Sequence, residues 1–341
     1  MIAAVLIALA LASAAFAALS LRLSSAVTTA LAGYLVLVGN LGLVTWALSP
    51  VHAVTRVGLL AAEVVLLGAA FAAWWLRGRP WVELAGARAA AAAVGRDPVT
   101  LLFLAVLAVA LAYEFVVAVT AAPNNYDSLT YHLSRAAAWK QYGGVHWIAN
   151  APSDRLNEFQ PLAEQQILFL LVAAGKGTLL ALPQFVAELA ILVAVYGAAR
   201  RLGFDQRASA CSTALLATFT LFALETTTAQ NDLVAAALPT AAACLLLDGG
   251  TTEAFLAGAA LGFGLGAKLT TLLVWPVLAW LALLGGRRIF ARAATGVVAG
   301  FVTVGMWSFV LNLMHTGHVL GHGGGRTDQS VSPSAVTTAH M

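Results

Sequence analysis

Long apolar runs constrain this sequence more than any other feature. Roughly seven or more of them approach the ~20 residues that a helix needs to cross about 30 Å of hydrocarbon. Hydrophobic residues make up 61% of the 341 residues and charged residues only 10%, which is too little charge for the surface of a soluble protein of this size. Membrane strands would alternate polar and apolar residues, and these runs do not. The sequence therefore predicts an all-α, polytopic bundle of transmembrane helices.

Two of the apolar runs leave a choice. The first 22 residues lack a positively charged start, so we interpret them as a membrane span, with a cleaved signal peptide as the alternative. The run 253–285 is too long for one span at about 1.5 Å per residue, so we divide it into a hairpin that turns at Lys268. About ten spans result. They are 2–21, 26–48, 54–76, 98–119, 178–199, 208–224, 231–248, 253–267, 269–285 and 293–313.

The arginines predict the orientation of the bundle. The segment 161–174 begins with Pro161 and is short for a span, so we expect an amphipathic helix lying along the outer interface. With that assignment, three arginine-rich connections fall on one face, which the positive-inside rule makes cytoplasmic. The loops 120–177 and 225–231 then face outward. The arginines are Arg77, Arg79, Arg88 and Arg96, then Arg200, Arg201 and Arg207, then Arg287, Arg288 and Arg292.

Polarity divides the chain into three parts. Residues 1–97 form an N-terminal three-span region with a basic cytoplasmic loop, and residues 98–320 form a transmembrane core with the external loop 120–177. Residues 321–341 are rich in Gly, Ser and Thr, and we expect a disordered tail. No basic tract suggests nucleic acid as a partner.

The outer loop 121–160 and the residues just after it carry a dense group of reactive side chains. As a helix over 127–142 it has an apolar stripe on one side and polar residues on the other. The stripe is Leu129, Leu133 and Ala136, and the opposite side carries Asp127, Tyr131, Arg135 and Tyr142. We therefore expect a membrane-surface helix that presents a carboxylate, a phenol and a guanidinium together. The reactive residues are Asp127, Tyr131, His132, Arg135, Asp154, Arg155, Glu158 and Glu164.

Each of these residues also has a structural interpretation. Asp127 suits either a helix N-cap after the Asn-Asn turn or a base that takes a proton from a hydroxyl. Tyr131 and His132 suit interfacial anchors as well as substrate contacts. Arg135 suits phosphate recognition through paired donors, although an outward-facing arginine is often only solvated. Asp232, which ends the second outer loop, fits the start of the next helix as well as a site acid.

Ionisable and glycine residues also occur inside the predicted spans. Glu63, Glu114 and Glu188 fall where such groups pair with each other, line a cavity or serve function. The sequence does not assign their partners. The Gly-x-Gly-x-Gly run 262–266 follows no strand, so we expect close helix packing rather than a dinucleotide site.

The outer loop resembles a known family. Residues 124–135 read Asn-Asn-Tyr-Asp-Ser-Leu-Thr-Tyr-His-Leu-Ser-Arg, and Trp139 and the stretch 157–164 with Pro161 follow. This pattern resembles the first external loop of bacterial GT-C class glycosyltransferases, which include relatives of protein O-mannosyltransferases and aminoarabinose transferases. The resemblance extends over residues 98–320 through the order of later features. These are Arg200-Arg201-Leu202-Gly203, Asp232, the Gly-rich helix ending at Lys268, and Asn312 to Gly317.

The resemblance implies an inverting transfer of a sugar from a polyprenyl-phosphate donor to a hydroxyl of a lipid, glycan or protein acceptor. The reaction would take place at the outer face of the plasma (inner) membrane. Asp127 matches the family's first-loop acid, expected to act as base or to organise the acceptor, and Asp232 resembles its second acid in position. A divalent metal at these two acids stays open. The expected substrate-binding residues are Tyr131, His132, Arg135, Glu158, Glu164 and Lys268, with Arg135 and Lys268 as candidates for the lipid phosphate.

Two other classes of function stay open. A transporter or flippase for a lipid-linked or small solute would show internal repeats and charges at mid-membrane, whereas the acids here concentrate in outer loops. A non-catalytic subunit of an envelope-assembly complex is the third hypothesis.

Overall fold

The computed structural model describes residues 2–82, 91–92 and 94–322. Regular structure in these ranges is helical, without a β-strand, which confirms the all-α prediction. Arg88 and most of the predicted tail, residues 323–341, lie outside the described residues. The helices are α1 (Ile2–Ser20), α2 (Ala26–Leu48), α3 (Arg56–Leu76), α4 (Pro98–Thr120), α5 (Leu133–Tyr142), α6 (Arg155–Glu158), α7 (Leu162–Ala174), α8 (Leu182–Arg201), α9 (Gln206–Ala217), α10 (Thr220–Thr226), α11 (Asp232–Asp248), α12 (Thr251–Ala267), α13 (Trp275–Leu284), α14 (Arg287–Gly300) and α15 (Trp307–Thr316).

Polar side chains cap several of the helix starts. Ser25 and Thr28 form a reciprocal capping box at the start of α2. Three further side chains each accept a hydrogen bond from the first turn of one helix: Thr55 caps α3, Asp97 caps α4 and Asp205 caps α9. Because such a cap satisfies an amide group that the helix itself leaves free, these residues determine where the helices begin.

The bundle crosses the membrane several times. Six described helices are long and apolar enough to span, and a seventh crossing results if α9 and α10 form one bent span. By the same measures α11 and α12 fall short, because 17 residues each extend only about 26 Å. Length and composition therefore support a multi-pass protein but not all of the ten predicted spans. The six are Ile2–Ser20, Ala26–Val51, Arg56–Leu76, Pro98–Thr120, Leu182–Arg201 and Arg287–Gly305.

Two chain breaks shape the bundle. The predicted span 208–224 is interrupted after Ala217, and α9 and α10 meet there at an angle of 69°. The chain breaks at Lys268, which is extended between the end of α12 and a 3-10 turn over Leu269–Val274. The predicted hairpin is not observed, because α12 and α13 do not pack against each other. The second break releases Lys268 from the helix, so that its side chain reaches the first residue of α11.

Hydrogen bonds between loops define two ends of the molecule. At the first, the site end, the Ala229 amide donates to Ser128 Oγ over 3.0 Å and joins the two loops predicted to face outward. At the second, the basic end, Arg201 Nε donates to Asp248 Oδ1 over 2.7 Å and its Nη2 donates to Ser25 Oγ. The main apolar core lies between them, among α2, α8, α11 and α12.

Helix α7 differs from the sequence prediction. The sequence predicts an amphipathic helix at the membrane interface over 161–174, with one exposed stripe. In the structure eleven of the thirteen residues of α7 are buried, and α7 packs against α2 and α5. A helix that is apolar around most of its circumference is more stable inside a bundle than at an interface. Its polar first turn therefore carries Glu164 into the interior of the protein.

Close packing between α12 and α14 depends on glycine. A Cβ atom on Gly258 would lie 1.9 Å from the Ala293 carbonyl oxygen, and one on Gly296 would lie 2.0 Å from the Phe255 carbonyl oxygen. A Cβ on Gly262 would lie 2.4 Å from the Phe301 amide nitrogen. Small residues thus let the two backbones touch, as expected for the run 262–266.

Replacing Gly296 with alanine is expected to destabilise the protein by about 1–3 kcal/mol, because the new methyl group forces α12 and α14 apart. The measurement is the unfolding temperature in detergent. Gly68→Ala is the matched control, since a Cβ there meets nothing within 4 Å, and alanine should be neutral or stabilising by about 0.5–1 kcal/mol in a helix. Equal effects of the two substitutions would contradict the packing argument.

Candidate active site

Asp127 is a carboxylate that the fold does not use as a cap. It is half-buried and already helical, and its side chain accepts no capping hydrogen bond. Within the described residues it takes part in none of the ion pairs. The N-cap interpretation of Asp127 is therefore wrong, and its carboxylate is available for a ligand.

A π-helical turn over Ser128–His132 follows Asp127. The wider turn changes which side chains face inward, so the predicted two-sided helix is not observed. Leu129, placed on the apolar stripe, is 52% exposed, whereas Tyr131 and Arg135 are buried. The carboxylate, phenol and guanidinium consequently do not share one exposed face. The 3.6-residue periodicity used for the prediction does not hold across a π turn.

Glu164 forms a buried brace with His132 and Arg135. Its Oε1 atom lies 2.9 Å from His132 Nδ1 and 3.2 Å from Arg135 Nη1, and all three side chains are fully buried. Burial alone would raise the pKa of Glu164, but the charges of Arg135 and His132 outweigh it and hold that pKa below its ordinary value. Glu164 is therefore ionised, and it neutralises a guanidinium that could not otherwise be buried.

The remaining donors of Arg135 hold the loop that precedes α7. Its Nε donates to the Leu156 carbonyl oxygen over 2.8 Å, and its Nη2 donates to the Arg155 carbonyl oxygen. Burial lowers the pKa of Arg135, and the charge of Glu164 opposes that shift. All three nitrogens of the guanidinium are thus engaged by protein atoms, and none faces an open surface where a lipid phosphate would bind.

Asp232 and Lys268 form an ion pair at the start of α11. Asp232 is the first residue of α11, and its Oδ1 atom lies 2.6 Å from Lys268 Nζ, with both side chains more than a third exposed. The Gln184 side chain caps α11 by accepting from the amides of Leu233 and Val234 over 3.0 and 3.1 Å. Asp232 is therefore not needed as the cap, and the ion pair stands open to a ligand.

Tyr131 is a buried phenol that responds to acids of both outer loops. Burial raises its pKa first, and the charges of Glu164, Asp127 and Asp232 raise it further. The charges of both aspartates thus act on this phenol. The bond between Ser128 and Ala229 joins the same two loops. The fold thus joins the loops that carry Asp127 and Asp232, which are far apart in the sequence.

An open groove of about 600 Å³ begins at Asp232. Apart from Asp232 and Glu225 its lining is mainly apolar, and it runs along α10 and the first turn of α11. Glu225 was not assigned a role from the sequence, although it opens the second outer loop; its charge interacts with those of Asp232, Lys268 and Asp127. The groove is lined by Phe219, Thr220, Leu221, Phe222, Glu225, Asp232, Leu233 and Ala236.

Glu158 contacts the end of the described chain. Its Oε1 atom accepts from the His322 amide over 2.8 Å and lies 3.3 Å from His322 Nδ1. Its backbone oxygen accepts from Asn312 Nδ2 over 3.1 Å. Glu158 thus fastens the outer loop to α15 and to the segment that follows it.

The three acids inside predicted spans have protein partners. Glu63 accepts from Asn40 Nδ2 over 3.0 and 3.2 Å between α2 and α3. Glu188 accepts from Thr226 Oγ1 over 2.9 Å, and its carboxyl group interacts with that of Glu114. These pairs join neighbouring helices, so the acids are interhelical contacts as expected for ionisable groups in a bundle interior.

The described residues contain no group of three or more His, Cys, Asp or Glu side chains arranged to hold a metal ion. Asp127 and Asp232 were the acids left open for a divalent cation. Lys268 Nζ, only 2.6 Å from Asp232 Oδ1, already neutralises that carboxylate. The residues present therefore do not fit a divalent cation at these acids, because the ammonium group would have to be displaced first.

Comparison with models of known families gives a match over part of the chain. Residues 165–315 match the family model described as dolichyl-phosphate-mannose-protein mannosyltransferase. No curated protein and no solved structure matches the chain significantly. The match includes Asp232, Glu225 and Lys268 but begins after Asp127 and Glu164. The match therefore depends on the part of the chain that follows the outer-loop motif 124–135. It confirms the resemblance of this multi-pass membrane protein to the GT-C class of glycosyltransferases.

Proposed function

We propose that the protein transfers a sugar from a polyprenyl-phosphate donor to an acceptor hydroxyl, with inversion, at the outer face of the plasma (inner) membrane. The observation that carries the proposal is the hydrogen bond from Ala229 to Ser128, which joins the loop of Asp127 to the loop of the Asp232–Lys268 ion pair. An apolar groove lies beside this ion pair. A lipid-linked sugar phosphate needs this combination, an apolar channel for the lipid and a cation at its polar end.

The proposed reaction is a single displacement. Asp127 takes the proton from the acceptor hydroxyl, whose oxygen attacks C1 of the sugar. The bond between C1 and the phosphate oxygen breaks, and the electron pair leaves with the polyprenyl phosphate. Lys268 stabilises the negative charge that grows on this leaving group, with Asp232 orienting the ammonium. Tyr131 lines the sugar site, while His132, Arg135, Glu164 and Glu158 position the outer loop.

The direct test is incubation of purified protein with a panel of polyprenyl-phosphate sugars and lipid, glycan and protein acceptors. Transfer of sugar, or its slow release to water, supports the proposal. Vesicle-to-vesicle or transbilayer movement of the donor without any change in its sugar–phosphate bond would instead support the flippase hypothesis.

The ten-span topology makes a prediction about orientation. A reporter in the loop 79–96 should be cytoplasmic, and a tag at residue 150 should react with an impermeant reagent from outside. The reason is the arginine bias, together with the Asp97–Arg207 ion pair of 3.2 Å, which places two of the predicted inner loops side by side. Detection of both probes on the same side of the membrane would overturn this orientation.

Lys268→Met is expected to lower kcat/KM for the donor by roughly 10- to 100-fold, the value of one charge-assisted hydrogen bond. The variant Lys268→Arg should keep most of the kcat/KM of the unmodified protein, because the positive charge remains. The exposed Lys140 near the site end supplies the matched control, and Lys140→Met should leave kcat/KM unchanged. If kcat/KM for the donor is unchanged in Lys268→Met, Lys268 does not bind the donor phosphate.

A further inference from the structure

A second groove lies towards the basic end, away from Asp127 and Asp232. It has a volume of about 520 Å³ and runs between α1, α2 and α8. Along α2 it extends from Ala26 to Leu37, roughly 17 Å at 1.5 Å per residue. Its lining is apolar apart from Thr29 and Tyr34. Small side chains make room on one side: Ala14, Ala15, Ala18, Ala30 and Gly33.

Tyr34 adds an aromatic ring to the lining of this groove. Its side chain is only 7% exposed, it lines the groove, and its hydroxyl has no hydrogen-bond partner among the described residues. The hydroxyl itself is closed to the groove, so the accessible wall that Tyr34 contributes is its aromatic ring. An apolar chain fits this lining.

Two arginines, Arg22 and Arg77, lie just beyond the end of the groove. Leu19 lines the groove, and Arg22 follows it by three residues. Arg22 Nη2 donates to the Arg77 carbonyl oxygen, and Arg77 Nη1 donates to the Ser20 carbonyl oxygen over 3.3 Å. These bonds cap the ends of α1 and α3 but use few of the five donors on each guanidinium. Neither side chain pairs with a carboxylate among the described residues.

The arginines also form a recess of their own. Arg22, Leu76, Arg77 and Gly78 line an open notch of about 440 Å³. Two neighbouring guanidinium groups without a counter-ion repel each other and favour a bound anion, and phosphate matches their paired donors. The notch therefore has the chemistry of a phosphate site.

We propose that groove and notch together bind one anionic phospholipid of the surrounding bilayer. One acyl chain lies along α2 in the groove, and the phosphate contacts Arg22 and Arg77. A second copy of this chain is a poorer occupant, because a symmetric contact on this face would bring four like charges together. Basic recesses between spanning helices on the cytoplasmic side are suited to anionic lipids.

The test is native mass spectrometry of the full chain, released from nanodiscs of phosphatidylglycerol and phosphatidylcholine in equal amounts. The expected result is one retained phosphatidylglycerol per protein. The double variant Arg22→Gln/Arg77→Gln should weaken its retention by roughly 30-fold, given the usual contribution of each arginine at a membrane surface. Gly33→Leu should also reduce retention by filling the groove, since a Cβ at residue 33 meets only Ala18 Cβ at 3.9 Å.

Matched controls separate the site from general effects. Arg288→Gln removes an exposed arginine outside the notch, and Ala69→Leu adds the same side chain at an exposed position of α3. Both should retain lipid like the unmodified protein. Equal retention of phosphatidylcholine, equal loss in the control variants, or a dimer that Gly33→Leu dissociates would each overturn the proposal. If the double variant misfolds by size-exclusion profile, the single variant Arg22→Gln decides: it should weaken phosphatidylglycerol retention by roughly 5-fold, and unchanged retention would overturn the proposal.

Discussion

Replacing Asp127 with asparagine is expected to reduce sugar transfer by about 100-fold or more, the scale for loss of a positioned base. The amide keeps the shape of the side chain but takes no proton at neutral pH. The fold should be unaffected, because the Asp127 carboxylate caps no helix. The measurements are initial rates with donor and acceptor, together with the unfolding temperature, at matched expression.

Asp154→Asn is the matched control for this experiment. Asp154 is an exposed acid of the same outer loop, and its side chain also caps no helix. Its variant should keep the rate of the unmodified protein. Asp232→Asn should reduce transfer less than Asp127→Asn, because an amide keeps a hydrogen bond to Lys268. Full activity of Asp127→Asn would end the assignment of this residue as the base and favour the transporter or subunit hypotheses.

Glu164→Ala is expected to destabilise the protein by about 3–5 kcal/mol, because it leaves the buried guanidinium of Arg135 without its counter-charge. Removing both charges in Glu164→Met/Arg135→Met should recover part of this loss. Chemical unfolding in detergent measures both variants. A double variant less stable than Glu164→Ala would show that the charge imbalance is not the cause.

The exposed ion pair of Arg207 with Asp97 is the control for the buried pair of Glu164 with Arg135. Arg207 is 58% exposed in this pair, and such pairs contribute about 0–1 kcal/mol. Arg207→Ala should therefore change stability little, although it also removes an ion pair. An effect of Arg207→Ala as large as that of Glu164→Ala would contradict the dependence on burial.

The site divides into residues that local sequence predicts and residues that only packing reveals. The acids Asp127 and Asp232 and the break at Lys268 stand out because they interrupt apolar runs or end polar loops. Gln184 and Glu225 do not, since their roles depend on partners contributed by other helices. Arg135 illustrates the limit of the argument from residue type: a guanidinium suits phosphate, but here carbonyl oxygens and Glu164 take its donors.

The sequence by itself determined that this protein is helical and crosses a membrane, because apolar run length and the shortage of charge are local properties that the bilayer selects directly. It also singled out Asp127, Asp232 and Lys268 as candidate site residues. Tertiary structure decided which side of each helix is buried. A π turn redirected Tyr131 and Arg135, and burial of α7 placed Glu164 inside the protein instead of at the interface. Such outcomes depend on the packing of segments far apart in the chain, which no local pattern contains.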